Sequence, residues 1–306
     1  EQLGYVLNRP AFDRYIADRA VEAGVELVTS TYADAIELSD TGPARIHLRI
    51  GDRDCWVKAD YVIAADGVES MIGRMAGIKT FLPLSRNDAC LQYRVTGIEV
   101  DAQLLEFCVG GKYSPDGYLW VFAKSDHSAN IGLGLNPAAN DSGELRRILD
   151  RFLKDRYGDF TIEFESCGMV PKFVGLGILG RHNLLLAGDA ARAVDSLTGA
   201  GIAKAMHTGS LAAQAVAAAV SGEFDRGELV ERYRAMVSDE IGWELRFLQK
   251  AYRIFRKFTD RDWESLARFL EKYLAKRKAG SINPAQIIKL AFIRVPRLIR
   301  LARHAF

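Results

Sequence analysis

Two apolar runs, each ending in a turn of glycine and aspartate, constrain this chain more than anything else in it. Tyr61-Val62-Ile63-Ala64-Ala65 runs into Asp66-Gly67, and Leu184-Leu185-Leu186-Ala187 runs into Gly188-Asp189. Continuous apolar runs of this length suit strands buried on both faces of a parallel sheet. In open α/β sheets, ligands gather outside the carboxyl ends of the strands. Both turns fall at such ends.

Between the two runs the pattern changes. From about Asn87 to Met169, alternation predicts strands over 90–95, 104–109, 118–122, 129–135 and 161–165. A helix is expected over 142–157, with Leu145, Ile148, Leu149, Phe152 and Leu153 on one face. Upstream, Asn8-Arg9-Pro10 opens a helix whose apolar positions are Phe12, Ile16, Ala20 and Ala23, and Gly24 ends it. Residues 25–28 predict a short strand, and 44–50 with 55–57 a hairpin around Gly51-Asp52. An Ala-rich helix over 199–220 is apolar nearly all round and expected to be fully buried. The expected fold is therefore an α/β domain (1–84 and 176–225), interrupted by a β-rich domain of antiparallel sheet plus helix (85–175). A helical region (226–306) follows.

Composition narrows the function classes. With 306 residues and 49% hydrophobic content, the chain can bury one or two cores. A net charge of +2 offers no footprint for nucleic acid. Cys55, Cys90, Cys108 and Cys167 are scattered without a CxxC pair, so no zinc site, iron–sulfur cluster or disulfide framework is indicated. Reduced thiols in a cytoplasm are expected. No run of about 18 apolar residues is present to span a bilayer. Residue 1 is Glu, and the start reads as mid-protein rather than as a signal peptide.

Two segments carry chemistry. In Gly188-Asp189-Ala190-Ala191-Arg192 and Asp195-Ser196-Leu197-Thr198-Gly199-Ala200-Gly201-Ile202, a strand delivers a carboxylate to the sheet edge and a glycine turn starts a helix. The carboxylate can accept hydrogen bonds from sugar hydroxyls, and the free N–H groups of the helix start favour an anion. Glycine used for tight packing is the plain alternative. In the second segment, Tyr118, Trp120 and Phe122 share one strand face, and Asn130, Gly132 and Gly134 share another. An aromatic wall opposite glycines leaves room for a long apolar ligand; a sheet packed on its own helix is the alternative.

With two further motifs, these segments resemble the geranylgeranyl reductase family of flavoproteins. The family's LxRxxFD helix, ADGxxS turn, YxWxFPK…ANVGLG stretch and GDAARxVDPLTGGGI segment appear here in order. They read Leu7-Asn8-Arg9-Pro10-Ala11-Phe12-Asp13, Ala65-Asp66-Gly67-Val68-Glu69-Ser70, 118–134 and 188–202. The resemblance implies a p-hydroxybenzoate-hydroxylase-like fold, bound FAD, and reduction of isolated C=C bonds in prenyl lipids. It implies that Arg9 contacts FAD, that Ala33 touches the adenosine half through its backbone, and that Asp66 and Gly67 support the phosphates. Asp189 would hold the ribityl chain, Gly201 and Ile202 would face the isoalloxazine edge, and Gly188 and Gly199 belong to the same cofactor-binding set. A reduced flavin is negative on its pyrimidine edge, so the helix start would stabilise it. Tyr118, Trp120, Phe122, Asn130 and Gly132 would line the substrate tunnel. Tyr118 is the candidate proton donor, against a core tyrosine with its hydroxyl satisfied; His127 and His207 are weaker candidates.

Three departures accompany the resemblance. The family's N-terminal GxGxxG unit is not in this sequence. Ser196 and Ala200 replace a family Pro and Gly, and Ala123 replaces another Pro. The electron donor is left open among NAD(P)H, ferredoxin and a quinol.

The segment 276–306 contains eight Lys and Arg and no Asp or Glu, interleaved with apolar residues and broken by Pro296. This suits an anionic membrane surface, which places the protein at the inner membrane face, against a packed helix with a solvated basic side. A flavin monooxygenase of the same fold and a non-catalytic lipid-binding remnant remain as alternative functions.

Overall fold

The computed structural model describes residues 5–141, 143–175 and 177–274. The basic segment 276–306 lies outside them. Helix α1 (Arg9–Glu22) begins at Asn8, whose side chain accepts from the Ala11 N–H at 3.5 Å, with Pro10 in the first turn. Three antiparallel strands follow: β1 (Thr31–Glu37), β2 (Ala44–Ile50) and β3 (Arg53–Ala59). Gly51 turns the β2–β3 hairpin with φ +60°, as Gly51-Asp52 predicts.

The two apolar runs meet. Strand β4 (Val62–Ala64) lies parallel to β11 (Leu184–Leu186), with Leu184 opposite Val62 and Leu186 opposite Ala64. The short β10 (Gly180–Arg181) completes that sheet in the order β10-β11-β4. Helix α2 (Met71–Met75) follows β4, and the long α4 (Ile202–Ser221) follows β11. Leu184, Leu185, Leu186, Leu211, Ala212 and Ala215 form a core with α5 (Leu229–Val237). A π-helical turn, Ser238–Gly242, leads to α6 (Trp243–Phe255), then α7 (Asp260–Leu274).

The middle of the chain is one antiparallel sheet. Strands β5 (Asn87–Thr96), β6 (Leu105–Gly110), β7 (Ser114–Ser125), β8 (Ser128–Leu135) and β9 (Thr161–Pro171) lie in the order β6-β7-β8-β5-β9. Helix α3 (Glu144–Tyr157) covers one face with Ile148, Leu149, Phe152 and Leu153. That is the amphipathic face its spacing predicts.

Three expectations change. Residues 25–28 form no strand: no neighbour supplies a ladder among the described residues, and Val25, Leu27 and Val28 are about half exposed. The apolar stripe of α1 buries no residue among them either. Helix α4 buries only one side, Thr208, Leu211, Ala212 and Ala215, while Met206 is 51% and Val220 70% exposed. An Ala-rich helix needs little covering area, so composition alone overstated its burial. Among the described residues, no helix is long and apolar enough to cross a membrane.

Candidate functional site

The parallel pairing of β4 and β11 places Asp66-Gly67 and Gly188-Asp189 side by side at one sheet edge, tied by Ala187 N–H to Ala64 O at 2.9 Å. The two aspartates differ. Asp66 is exposed and its Oδ2 accepts from the Ile72 N–H at 2.7 Å, so it caps α2. Gly67 has φ +80° and open space where a side chain would stand. Asp189 is half-buried, and burial raises its pKa. Its carboxylate receives no hydrogen bond from any described residue. An acid in that state has acceptor capacity for a ligand's hydroxyl groups.

Gly188 stands at φ +61°, and a Cβ there would approach that of Ala205 to 3.1 Å. Its N–H donates to Thr208 Oγ1 at 2.9 Å. Gly188 therefore lets α4 close on the strand. Gly201 precedes α4, and a Cβ there would lie 3.2 Å from Asp189 Oδ1. No side chain caps this helix start, so the N–H groups from Ile202 onward face outward as donors.

The loop before α4 is braced from within. Asp195, which the sequence placed in the motif without a role, is buried. Its Oδ1 accepts from the Leu197 N–H at 2.7 Å and its Oδ2 from the Thr198 hydroxyl at 2.5 Å. Gly199 takes φ +71° and donates to Asp195 O at 2.8 Å. Ser196 accepts from the Phe173 N–H at 2.9 Å, tying the loop to the end of β9. Ala200 is exposed.

The sheet face away from α3 meets this loop. Register aligns Tyr118, Trp120 and Phe122 with Gly134, Gly132 and Asn130, and these with Cys90, Gln92 and Arg94. The aromatic wall is real: Tyr118 and Trp120 have ring centroids 5.7 Å apart, and Phe107 lies 5.6 Å from Tyr118 and 5.4 Å from Phe122. Phe107 is 53% exposed, and Leu105, Val109 and Phe164 are also exposed. So many apolar side chains on one open face suit an apolar ligand.

Trp120 lies across Gly132. A Cβ on Gly132 would fall 2.3 Å from Trp120 Cζ2 and 2.8 Å from Leu91 O. The indole N–H reaches Gln92 Oε1 at 3.0 Å. The glycine thus makes room for the indole, which covers that part of the face. Gln92 was missed by sequence reasoning. Its signal was its period-two position among the polar residues of β5, and its partner appears only when β5, β8 and β7 are in register.

The Tyr118 hydroxyl donates to Thr198 O in the loop before α4. Burial, then Cys90, Asp195 and Asp88, raises its pKa, so the hydroxyl keeps its proton. Cys90 is likewise held as a thiol, pushed up to about 12 by burial. His127 is exposed on the β7–β8 turn, and His207 faces Glu240 at 3.8 Å. Arg9 and Ala33 lie in other elements: Arg9 pairs with Asp13 at 3.1 Å on the exposed side of α1, and Ala33 sits at the β1 bulge opposite Leu48. No group of metal-ligating side chains occurs among the described residues.

Comparisons with known proteins agree with this geometry. A geranylgeranyl reductase catalytic domain matches residues 87–170, and an FAD binding domain matches residues 3–114. Digeranylgeranylglycerophospholipid reductase 2 of Methanopyrus kandleri is 31% identical, covering 98% of this chain and 78% of its own. Its namesake from Methanothermobacter thermautotrophicus is 34% identical, covering 98% and 76%. A geranylgeranyl bacteriochlorophyll reductase-like protein from Thermoplasma acidophilum superposes with a TM-score of 0.90 at 27% identity, covering 100% of this chain and 77% of that one. A flavin-dependent halogenase shares the fold at TM-score 0.65 and 18% identity, covering 97% and 54%. The fold is thus that of p-hydroxybenzoate-hydroxylase-like flavoproteins, and the cofactor is FAD. The donor-free carboxylate of Asp189 beside Gly201 and the uncapped start of α4 fit such a group.

Proposed function

This chain belongs to the geranylgeranyl reductase family, and from that premise we propose that it saturates isolated C=C bonds in the geranylgeranyl chains of a glycerophospholipid. It is a flavin-dependent oxidoreductase of lipid biosynthesis. Once bound and reduced, FAD supplies the hydride that one alkene carbon accepts.

The chain's own residues divide the remaining work. Asp189 accepts hydrogen bonds from the ribityl hydroxyls, with Gly188 and Gly201 keeping the backbone close. The N–H groups around Ile202, with Gly199 in the preceding loop, favour negative charge on the isoalloxazine edge. Arg9, Ala33, Asp66 and Gly67 serve the adenosine and phosphate half. Tyr118, Trp120, Phe122, Asn130 and Gly132 hold the prenyl chain and keep water from the reacting carbons. For Tyr118 to donate the second proton, its hydroxyl must leave Thr198 O, so its resting part is to hold the loop. Residues 1–84 with 176–225 form the FAD-binding part and 85–175 the substrate part.

One observation carries this proposal most directly. The open aromatic face of the five-stranded sheet ends at the loop that starts α4, and Tyr118 joins the two. The direct experiment is anaerobic. The flavin is reduced chemically and a geranylgeranylated glycerolipid is added. Flavin reoxidation with saturation of the chain, read by mass, is expected. Rapid reoxidation by air with none by lipid would replace the reductase with a monooxygenase of the same fold. The same assay with NAD(P)H, ferredoxin or a quinol identifies the electron donor.

The basic segment 276–306 supports a second proposal, peripheral association with an anionic membrane surface. Arg297, Arg300 and Arg303 changed to Glu are expected to abolish co-sedimentation with anionic liposomes. Unchanged sedimentation refutes it.

A further inference from the structure

We propose that Lys172, held by Asp88 and Tyr252, is a positioning residue of the reductase site that fixes the Ser196–Gly199 loop against Tyr118. Lys172 is the one buried lysine or arginine among the described residues, 5% exposed. It follows β9 directly. Its Nζ lies 2.6 Å from Asp88 Oδ1, contacts the Tyr252 hydroxyl, and stands 4.5 Å from the centre of the Tyr252 ring. Its backbone N–H donates to Arg86 O at 2.9 Å. One side chain thereby joins β5, the end of β9 and α6.

The residues on either side of Lys172 hold the loop. Val170, paired with Asp88 across the sheet, packs on Gly199: a Cβ built on that glycine would lie 3.6 Å from Val170 Cγ1 and 3.6 Å from the Tyr118 hydroxyl. Phe173 N–H donates to Ser196 Oγ, and Phe173 O accepts from Gln249 Nε2 of α6 at 2.7 Å. Gly199 is thus seated between Val170 and Tyr118, and Ser196 is pinned three residues earlier in the same segment. Rotation of residues 170–173 would move both contacts together. The Lys172 side chain, in the middle, adds its ties to Asp88 and Tyr252 to the strand pairing that holds these residues. Arg256, just after α6, reaches Asp116, near the start of β7, at 3.6 Å, so a second ion pair supports the same junction.

A purely structural charge pair would not need this placement. Burial lowers the pKa of Lys172 and raises that of Asp88, and the attraction between the two opposes both shifts. A hydrophobic pair could fill the same volume without that dependence. The tie to Tyr252 and the contacts of the neighbouring residues make the position itself the useful property.

The inference rests on the reductase proposal, and its test separates the two. The FAD-loaded protein is compared as wild type, Lys172→Met, Lys172→Arg, Tyr252→Phe and the double variant Asp88→Asn/Lys172→Met. Thermal midpoint, visible flavin spectrum, flavin potential and steady-state kinetics with a geranylgeranylated glycerolipid are read for each. Lys172→Met is expected to lower kcat roughly 10-fold with little change in KM, and to shift the flavin spectrum and potential. The double variant, which leaves no unpaired charge, is expected to recover the thermal midpoint but not kcat, spectrum or potential. Tyr252→Phe is expected to give a smaller shift in the same direction, and Lys172→Arg a partial rescue. Full recovery of kcat and spectrum in the double variant would overturn the inference, as would a Lys172→Met protein with wild-type spectrum and kcat. A wild-type protein that fails to reduce the lipid defeats the reductase proposal, while the flavin spectra and potentials still decide the role of Lys172.

Discussion

The two faces of the five-stranded sheet are made from the same strands and have opposite physics. On the face toward α3, Tyr93, Val95, Leu119, Ile131 and Leu133 have essentially no exposure, and Ile148, Leu149, Phe152 and Leu153 close over them. On the other face, the same strands present glycines, Gln92, Cys90 and an aromatic row that is partly open. One face is saturated with contacts. The other holds space through Gly132 and Gly168, where a Cβ either collides with Trp120 or meets nothing. Folding energy and ligand capacity are thus assigned to different faces of one sheet. Substitutions should separate them.

The largest expected effect belongs to the closed face. Leu149→Ala removes a fully buried side chain between α3 and the sheet. A change of this kind costs about 2–5 kcal/mol of stability. Reductase turnover per folded molecule should stay at the wild-type level, because Leu149 touches neither the aromatic row nor the loop. Denaturant midpoints measured beside turnover check this. A fall in turnover without a fall in stability would break the division between faces.

Gly132→Val is the matching change on the open face. The new side chain must displace the Trp120 indole or the strand carrying Leu91 O. Overpacking of this kind costs about 1–3 kcal/mol. The sharper signature is a change in Trp120 fluorescence and a drop in turnover of roughly 10²-fold, the scale of a misplaced substrate. Wild-type fluorescence and turnover would show that the indole is not where the prenyl chain is held.

These two faces also show what was legible in the sequence. Period-two alternation found every strand of the five-stranded sheet, and helical spacing found the face of α3, because those signals are local. The meeting of Asp66 with Asp189 was implied by two apolar runs of one type. Its consequence was hidden: Asp66 caps α2 while Asp189 keeps a free carboxylate, and only the packed turn distinguishes them. Gln92 showed only its place in the polar alternation of β5 and Lys172 no local signal, since each acquires its role from a residue 28 or 80 positions away in sequence. Residues 25–28 failed for the converse reason. The local pattern was that of a strand, but a strand needs a neighbour.

Gln92→Leu tests a smaller piece of the open face. It removes the acceptor of the Trp120 N–H and leaves that donor to find another partner. The net cost of such a bond is about 0.5–1.5 kcal/mol. A blue-shifted Trp120 emission with turnover lowered only a few-fold is expected on that scale. Neither partner titrates, so the effect should be the same at every pH. A pH-dependent effect would mean that another group holds the indole.

The smallest effect is on the closed face and must depend on pH. Tyr113 donates from its hydroxyl to Asp155 Oδ2 of α3 at 2.7 Å, and its ring meets Phe152 edge-on at 5.2 Å. That hydrogen bond, above the contribution of Lys112, holds the Asp155 carboxyl below its ordinary pKa. The unfolded chain therefore binds more protons than the native one as pH falls through the carboxylate range. The stabilisation is present above the unfolded pKa and is lost as pH falls through the folded one. Tyr113→Phe keeps the ring contact and removes the hydroxyl. The variant should melt slightly below wild type at neutral pH, and the gap should close as the solution is acidified through that range. A gap that stays constant from neutral to acid pH would assign the difference to ring packing rather than to the Tyr113–Asp155 hydrogen bond.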